Sequence, residues 1–400
     1  MRRPPFNAEV CAHQGAGQRP QGHHPATASR PLRRRFPAVV ATALILVLAD
    51  AFPSRGATFA DSEYLIESWE TDQGLPENSA TAMVQARDGS LWFGTFNGLV
   101  RFDGARFAVH DPANTPGLPS AGIVHLHQDA SGRLYVSTTR GLVVSKPHRW
   151  TTFQPVPAWT GDYVRAFSEN AGVLCATSFD GKVFREQAGR FEELPEPPGR
   201  PGSGRLCHVD PSGRVWVAQA GHFLGYWDGR QWQSTELASV LAPALANLAG
   251  LRNGGLLVVT TNELLRLEDD RVVSRLPLPR NLPEVWSVYE DHTGTIWISA
   301  RGLYRVRPSG EVRYFCATNG LTYDNLRFTF EDRERNLWVG TSGGGLMRFK
   351  PRTFRAFGPE SGLTERNVKT VIEDAGGRIL AGTYGGGLFA GEEGRMPPLP

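Results

Sequence analysis

The chain is 400 residues long and carries 43 basic and 40 acidic side chains, a formal charge of +3. Residues 1–60 hold eight of the bases and two of the acids, so residues 61–400 hold 35 bases against 38 acids. That balance leaves no basic surplus to recruit nucleic acid, and four cysteines at scattered spacings make no disulfide framework.

The first element in chain order is a leader. Arg33-Arg34-Arg35 precedes the apolar run Phe36 to Leu48, and Ala49-Asp50-Ala51 follows. A basic region, a short apolar core and an A-x-A site predict a secretory signal peptide, with Ala57 or Ala60 as other cleavage positions. The apolar run falls short of the ~20 residues that a helical membrane span needs. An uncleaved signal anchor is the alternative, and with either one the rest of the chain is expected outside the cytoplasm. The polar stretch before Arg33 reads as a disordered tail or a misassigned start. No second hydrophobic span follows residue 60.

From residue 61 onward one phrase returns every 40 to 43 residues. Its clearest copies are Asp88-Gly89-Ser90-Leu91-Trp92-Phe93-Gly94-Thr95, Gly294-Thr295-Ile296-Trp297-Ile298, Leu337-Trp338-Val339-Gly340-Thr341 and Gly377-Arg378-Ile379-Leu380-Ala381-Gly382-Thr383. The tryptophan slot falls at Trp92, Tyr135, Cys175, Trp216, Leu257, Trp297, Trp338 and Leu380. A regular period of this size predicts an array of one supersecondary unit. In the copy around Trp338 the predicted strands are 326–330, 337–341, 346–349 and 353–357, separated by polar and glycine-rich turns. Four short antiparallel strands per period predict an all-β propeller over residues 61–400. No unit sustains a 3.6-residue apolar period. The stretch from Leu237 to Leu251, rich in Ala and Leu, is the best candidate for a local helix.

Two recurring residue types read as structural. A tryptophan on the second strand would pack between neighbouring blades. Asp129, Asp210, Asp291, Asp332 and Asp374 occupy one turn position, where the side chain can accept backbone N–H groups. Cys175, Cys207 and Cys316 are expected on strands as small buried apolar side chains.

These phrases, together with the connectors Gly74-Leu75-Pro76, Gly117-Leu118-Pro119 and Asn281-Leu282-Pro283, resemble the two-component regulator propeller repeat. The resemblance runs from residue 61 to about 390 and is weakest around Cys175, Trp216 and Leu257. It implies the periplasmic, ligand-sensing part of a signal-transduction receptor. A membrane-bound histidine kinase or diguanylate cyclase would lie downstream in a phosphorelay, and two copies of the chain could pair. It also implies that the ligand is a small molecule or an oligosaccharide from polysaccharide breakdown. The sequence departs from that plan within residues 391–400, inside the eighth unit, with no membrane helix, kinase histidine box or ATP-binding motif. A fragment of a longer sensor and a free-standing exported propeller both fit this.

The strands also suggest how the ring closes. Tyr64 to Trp69 matches a fourth strand lacking its first three, and the last unit supplies three strands ending near Phe389. Joining them predicts eight closed blades. Seven blades plus the start of a second ring is the alternative.

Few residues suggest chemistry. Gly343-Gly344-Gly345 and Gly385-Gly386-Gly387 lack the Lys-Ser/Thr of a phosphate loop and read as turns. His125 and His127 share a strand face at a spacing that metal ligands use, yet Tyr289, Phe330 and Ile372 fill the matching slot, so the position reads as core. Glu290-Asp291, Glu331-Asp332 and Glu373-Asp374 recur at one turn and read as structural. No catalytic residue, metal site or cofactor is expected.

Ligand binding is expected where the repeats disagree. Five residues before the turn acid stand Thr81, Val124, Val164, Arg205, Ala246, Trp286, Arg327 and Lys369, with Arg165 one residue further along. The first strand of each blade lines a propeller's channel. Arg165, Arg205, Arg327 and Lys369 could therefore hold an anionic ligand and Trp286 a sugar-like ring. A solvated lining without function is the competing reading. An exported lyase, lactonase or glycosidase, or a protein-interaction scaffold, remains open as an alternative class.

Overall fold

The computed structural model describes residues 63–399 apart from 188, 203, 236, 238–243, 269–270, 279–280, 283, 353, 355 and 392–393. The leader lies outside these residues. Every sheet is antiparallel between neighbours, and no α-helix occurs among the described residues. The eight phrases build eight sheets, seven of four strands and one of three.

Seven sheets form the blades of a ring. Their inner strands are Met83–Gln85, Ile123–Gln128, Val164–Asn170, Arg205–Val209, Leu245–Gly250, Ser287–Glu290 and Leu326–Glu331. Each inner strand contacts the next, and that of blade 7 lies against that of blade 1. The tryptophan-slot residue of each blade packs onto the following blade, as expected. Trp92 meets Leu134 and Val136, Trp216 meets Leu248 and Val258, and Trp297 meets Leu337 and Val339. Trp338 completes the circuit against Phe93 and Phe102 of blade 1. Cys175 and Leu257 bury the same interface without an indole, which is why the slot tolerates them.

Of the two closures expected, the ring takes seven blades rather than eight closed ones. Tyr64–Trp69 pairs along all six residues with Leu346–Pro351, so it completes blade 7. Trp69 stacks on Trp338 at 5.5 Å and 22°, and Arg348 Nε donates to Glu67 at 2.7 Å. At this seam Gly345 sits at φ +78°, and a Cβ there would lie 2.0 Å from the Trp69 carbonyl oxygen, so only glycine fits. Of the expected fourth strand at 353–357, residues 353 and 355 lie outside the described residues; 354, 356 and 357 form no strand, and Phe354 is 88% exposed.

The eighth phrase folds as a separate three-stranded sheet, Val368–Glu373, Ile379–Thr383 and Leu388–Ala390, around its own small core of Leu363, Ala381, Phe389 and Met396. Its third strand cannot accept Tyr64–Trp69, because residues 396–399 already occupy that edge. Ala390 N–H donates to Pro397 O at 3.0 Å, and Leu399 N–H to Leu388 O at 2.7 Å.

Two local expectations also change. Residues 245–250 of the helical candidate are the inner strand of blade 5, with Leu245 and Leu248 buried, while 238–243 lie outside the described residues. Cys175 and Cys207 are buried as expected, but Cys316 follows a strand, is half-buried and has Sγ 3.1 Å from Thr318 Oγ1.

Candidate functional site: the channel mouth

A cavity of about 320 Å³ lies on the ring axis, lined by inner-strand residues of all seven blades. Its side chains are set by where the inner strands bulge. In blades 2, 3, 5 and 7 the ladder skips one residue, between Ile123 and His125, Val164 and Ala166, Leu245 and Asn247, and Leu326 and Phe328. The skipped residues are Val124, Arg165, Ala246 and Arg327. A bulge leaves its extra residue unpaired and re-aims the side chain; Val124, Arg165 and Arg327 line the cavity, while the short Ala246 side chain does not reach it. Trp286 reaches the same place from the residue before its strand, held by its N–H on Ser299 O at 2.9 Å.

Arg165, Trp286 and Arg327 are thus brought to one cavity. The Arg327 guanidinium carbon lies 4.7 Å from the Trp286 ring centroid, and its Nη2 donates to Ser342 Oγ at 3.0 Å. That of Arg165 lies 5.4 Å from the Phe179 ring. The Nε atoms of both arginines are buried and have no hydrogen-bond partner among the described residues. Burial pushes both guanidinium pKa values below their ordinary value, while Glu284 pulls both back up. An arginine guanidinium stays protonated in proteins, and both Nε atoms are short of an acceptor. Placing a charge in such a site costs free energy unless an opposite charge or hydrogen bonds compensate.

Two of the expected site residues lie elsewhere. Arg205 heads a strand with no bulge, so its side chain turns away from the axis. It is 1% exposed and donates to Gly181 O, Glu196 and, at 3.2 Å, Arg200 O. It holds loops together. Lys369 is a bulge residue on the eighth sheet, outside the ring, with Nζ 5.5 Å from the Tyr384 ring. Phe96 and Phe179 line the cavity and were not anticipated. Each follows a second strand rather than a first, so the first-strand register could not point to it.

The histidines are structural. His127 Nε2 lies 3.2 Å from Glu169 and its ring stacks on Phe167. His125 lines the cavity with Nδ1 3.0 Å from Leu126 O, and burial lowers its pKa to about 4, so it brings no charge to the channel at neutral pH.

Residues 74–97, which span the first connector and the first tryptophan phrase, match the family model described as the two component regulator propeller. The chain carries a two component regulator propeller repeat. Solved structures extend the likeness to the whole ring. The extracellular domain of a protein named as the hybrid two component system BT3049 from B. thetaiotaomicron superposes with a TM-score of 0.62 at 18% identity, over 84% of this chain and 49% of that one. That of the one component system BT4673 from the same organism gives 0.58 at 16%, over 82% and 46%. This chain therefore spans about half the length of these extracellular domains. Virginiamycin B lyase from Staphylococcus aureus gives 0.58 at 10%, over 72% of this chain and 99% of the lyase. At such identities the likeness is one of fold, and extracellular domains of component systems and a lyase share it. None of the curated proteins matches the sequence.

Proposed function

We propose that this propeller is the exported ligand-sensing module of a two-component-type receptor, and that it binds an anionic small molecule or acidic oligosaccharide at the channel mouth. One observation carries the binding site: Arg165 and Arg327 are both desolvated at one cavity, each with an Nε that has no partner among the described residues. A carboxylate or sulfate would supply the missing acceptors, and Trp286 would flank a sugar ring. The cavity volume falls within the ~300–1,000 Å³ of small-molecule sites. The family match and the two-component neighbours support the sensory role, and the extracellular origin of those neighbours supports export. Occupancy would bias the packing of the ring against a downstream kinase or cyclase, which reads the change.

Calorimetric titration with acidic and neutral oligosaccharides tests this. An acidic ligand should bind, and Arg165→Ala and Arg327→Ala should each weaken it about 10- to 150-fold, the equivalent of ~1.5–3 kcal/mol for one charge-assisted hydrogen bond. Unchanged affinity in both variants would refute the site.

A further inference from the structure

Blades 4, 6 and 7 share a detail that blade 1 lacks. In each, one aspartate six residues before the tryptophan does two jobs. Its Oδ1 accepts backbone N–H groups of the turn, and its Oδ2 accepts the indole N–H. The Nε1–Oδ2 distances are 2.9 Å for Trp216–Asp210, 2.8 Å for Trp297–Asp291 and 2.7 Å for Trp338–Asp332.

In blade 1 the residue six before Trp92 is Ala86. The turn itself is unchanged. Ala86 N–H donates to Ser90 O at 2.8 Å and Gly89 N–H to Ala86 O at 3.0 Å, against 3.1 and 2.9 Å for the same bonds at Asp210. Asp88 takes over the backbone half of the missing carboxylate, accepting Ser90 N–H at 3.0 Å. The indole half is vacant. Trp92 is 4% exposed, and its Nε1 has no hydrogen-bond partner among the described residues.

Ala86 and Trp92 both line a cleft of about 890 Å³ between the outer parts of blades 1 and 2. Arg101 and Arg149 line it too, and among the described residues the only carboxylate on its walls is Asp88, already 3.1 Å from Arg101. The cleft thus offers a vacant carboxylate position beside an unpaired indole N–H donor, with a surplus of positive charge. It presents little aromatic face, since Trp92 and Trp150 are 4% and 5% exposed, so a stacked sugar ring is a poor fit.

We infer that this cleft is a second ligand site, distinct from the channel, that binds a carboxylate in the place the absent aspartate side chain would fill. The carboxylate accepts the Trp92 indole N–H and pairs with Arg149 and Arg101, as charge-assisted acceptors do. It comes either from an acidic side chain of a polypeptide or from a small free anion.

The test follows the indole resonance of Trp92 in protein labelled with ¹⁵N-tryptophan, identified by its loss in Trp92→Phe. Sodium acetate and an end-blocked glutamate-rich peptide are the probes, with sodium chloride at matched ionic strength as control. The expected result is a saturable downfield shift with a carboxylate and none with chloride. Peptide binding at least tenfold tighter than acetate assigns the polypeptide source, and equal affinity assigns the free anion. Ala86→Asp should move the unliganded resonance toward those of Trp216, Trp297 and Trp338 and weaken binding at least tenfold, because the position is then filled from within. Should that variant fold poorly, Arg149→Ala must weaken binding instead. No saturable shift with either probe, or unchanged affinity in whichever of these variants folds, would overturn the assignment.

Discussion

Asp332 is 4% exposed and serves three donors at once, the Asn336 backbone N–H at 2.8 Å, the Asn336 side-chain amide at 2.8 Å and the Trp338 indole at 2.7 Å. Removing it strands them inside a blade interface, where an unsatisfied polar group costs ~1–3 kcal/mol. Asp332→Ala should therefore lower unfolding stability by ~2–4 kcal/mol, and Asp88→Ala, at an exposed turn, by less than ~1 kcal/mol. Chemical denaturation of the two variants checks this, and equal losses would contradict it. The six-residue spacing between acid and tryptophan was legible in three repeats. Sequence reading explained only its turn half, because the indole bond depends on a side-chain orientation that repeats alone do not fix. Arginine placement shows the same limit. Arg205 and Arg327 occupy one register position, yet a bulge turns Arg327 into the channel and its absence turns Arg205 away. Nothing in the flanking residues announces that bulge.

At the scale of elements, the isolated strand Tyr64–Trp69 was legible as a fourth strand without its first three. Its partner was not, since the eight phrases are nearly alike. The difference lies after the third strand. Leu346–Pro351 presents six residues with a free edge, whereas Leu388–Ala390 presents three residues whose edge is taken by residues 396–399. The pairing can be trapped directly. Glu67 and Arg348 face each other across the seam, so a Glu67→Cys/Arg348→Cys variant should form an intramolecular disulfide and unfold at a higher temperature than its reduced form. Linking residues far apart in sequence constrains the unfolded chain most, with typical gains of ~2–4 kcal/mol. Failure to oxidise while the ring stays folded would place the closing strand elsewhere.

Across the whole molecule, repetition and deviation divide the work. Tryptophan, aspartate and glycine recur because each interface and turn is built the same way, and the all-β propeller was legible from that recurrence. The channel mouth gathers residues that break the pattern, and three of the five side chains singled out from the sequence, Arg165, Trp286 and Arg327, line it. Lys369 was misplaced for a global reason: its register matches the others, but its sheet stands outside the ring. Phe96 and Phe179 come from the turns after second strands and join the site only through ring geometry. The most direct test of the account is hydrogen exchange with and without a bound acidic oligosaccharide. Protection should gather at 164–166, 286–287 and 326–328, the strand beginnings that carry the three channel side chains. Protection centred on the 368–390 sheet, or none at all on the ring axis, would contradict it.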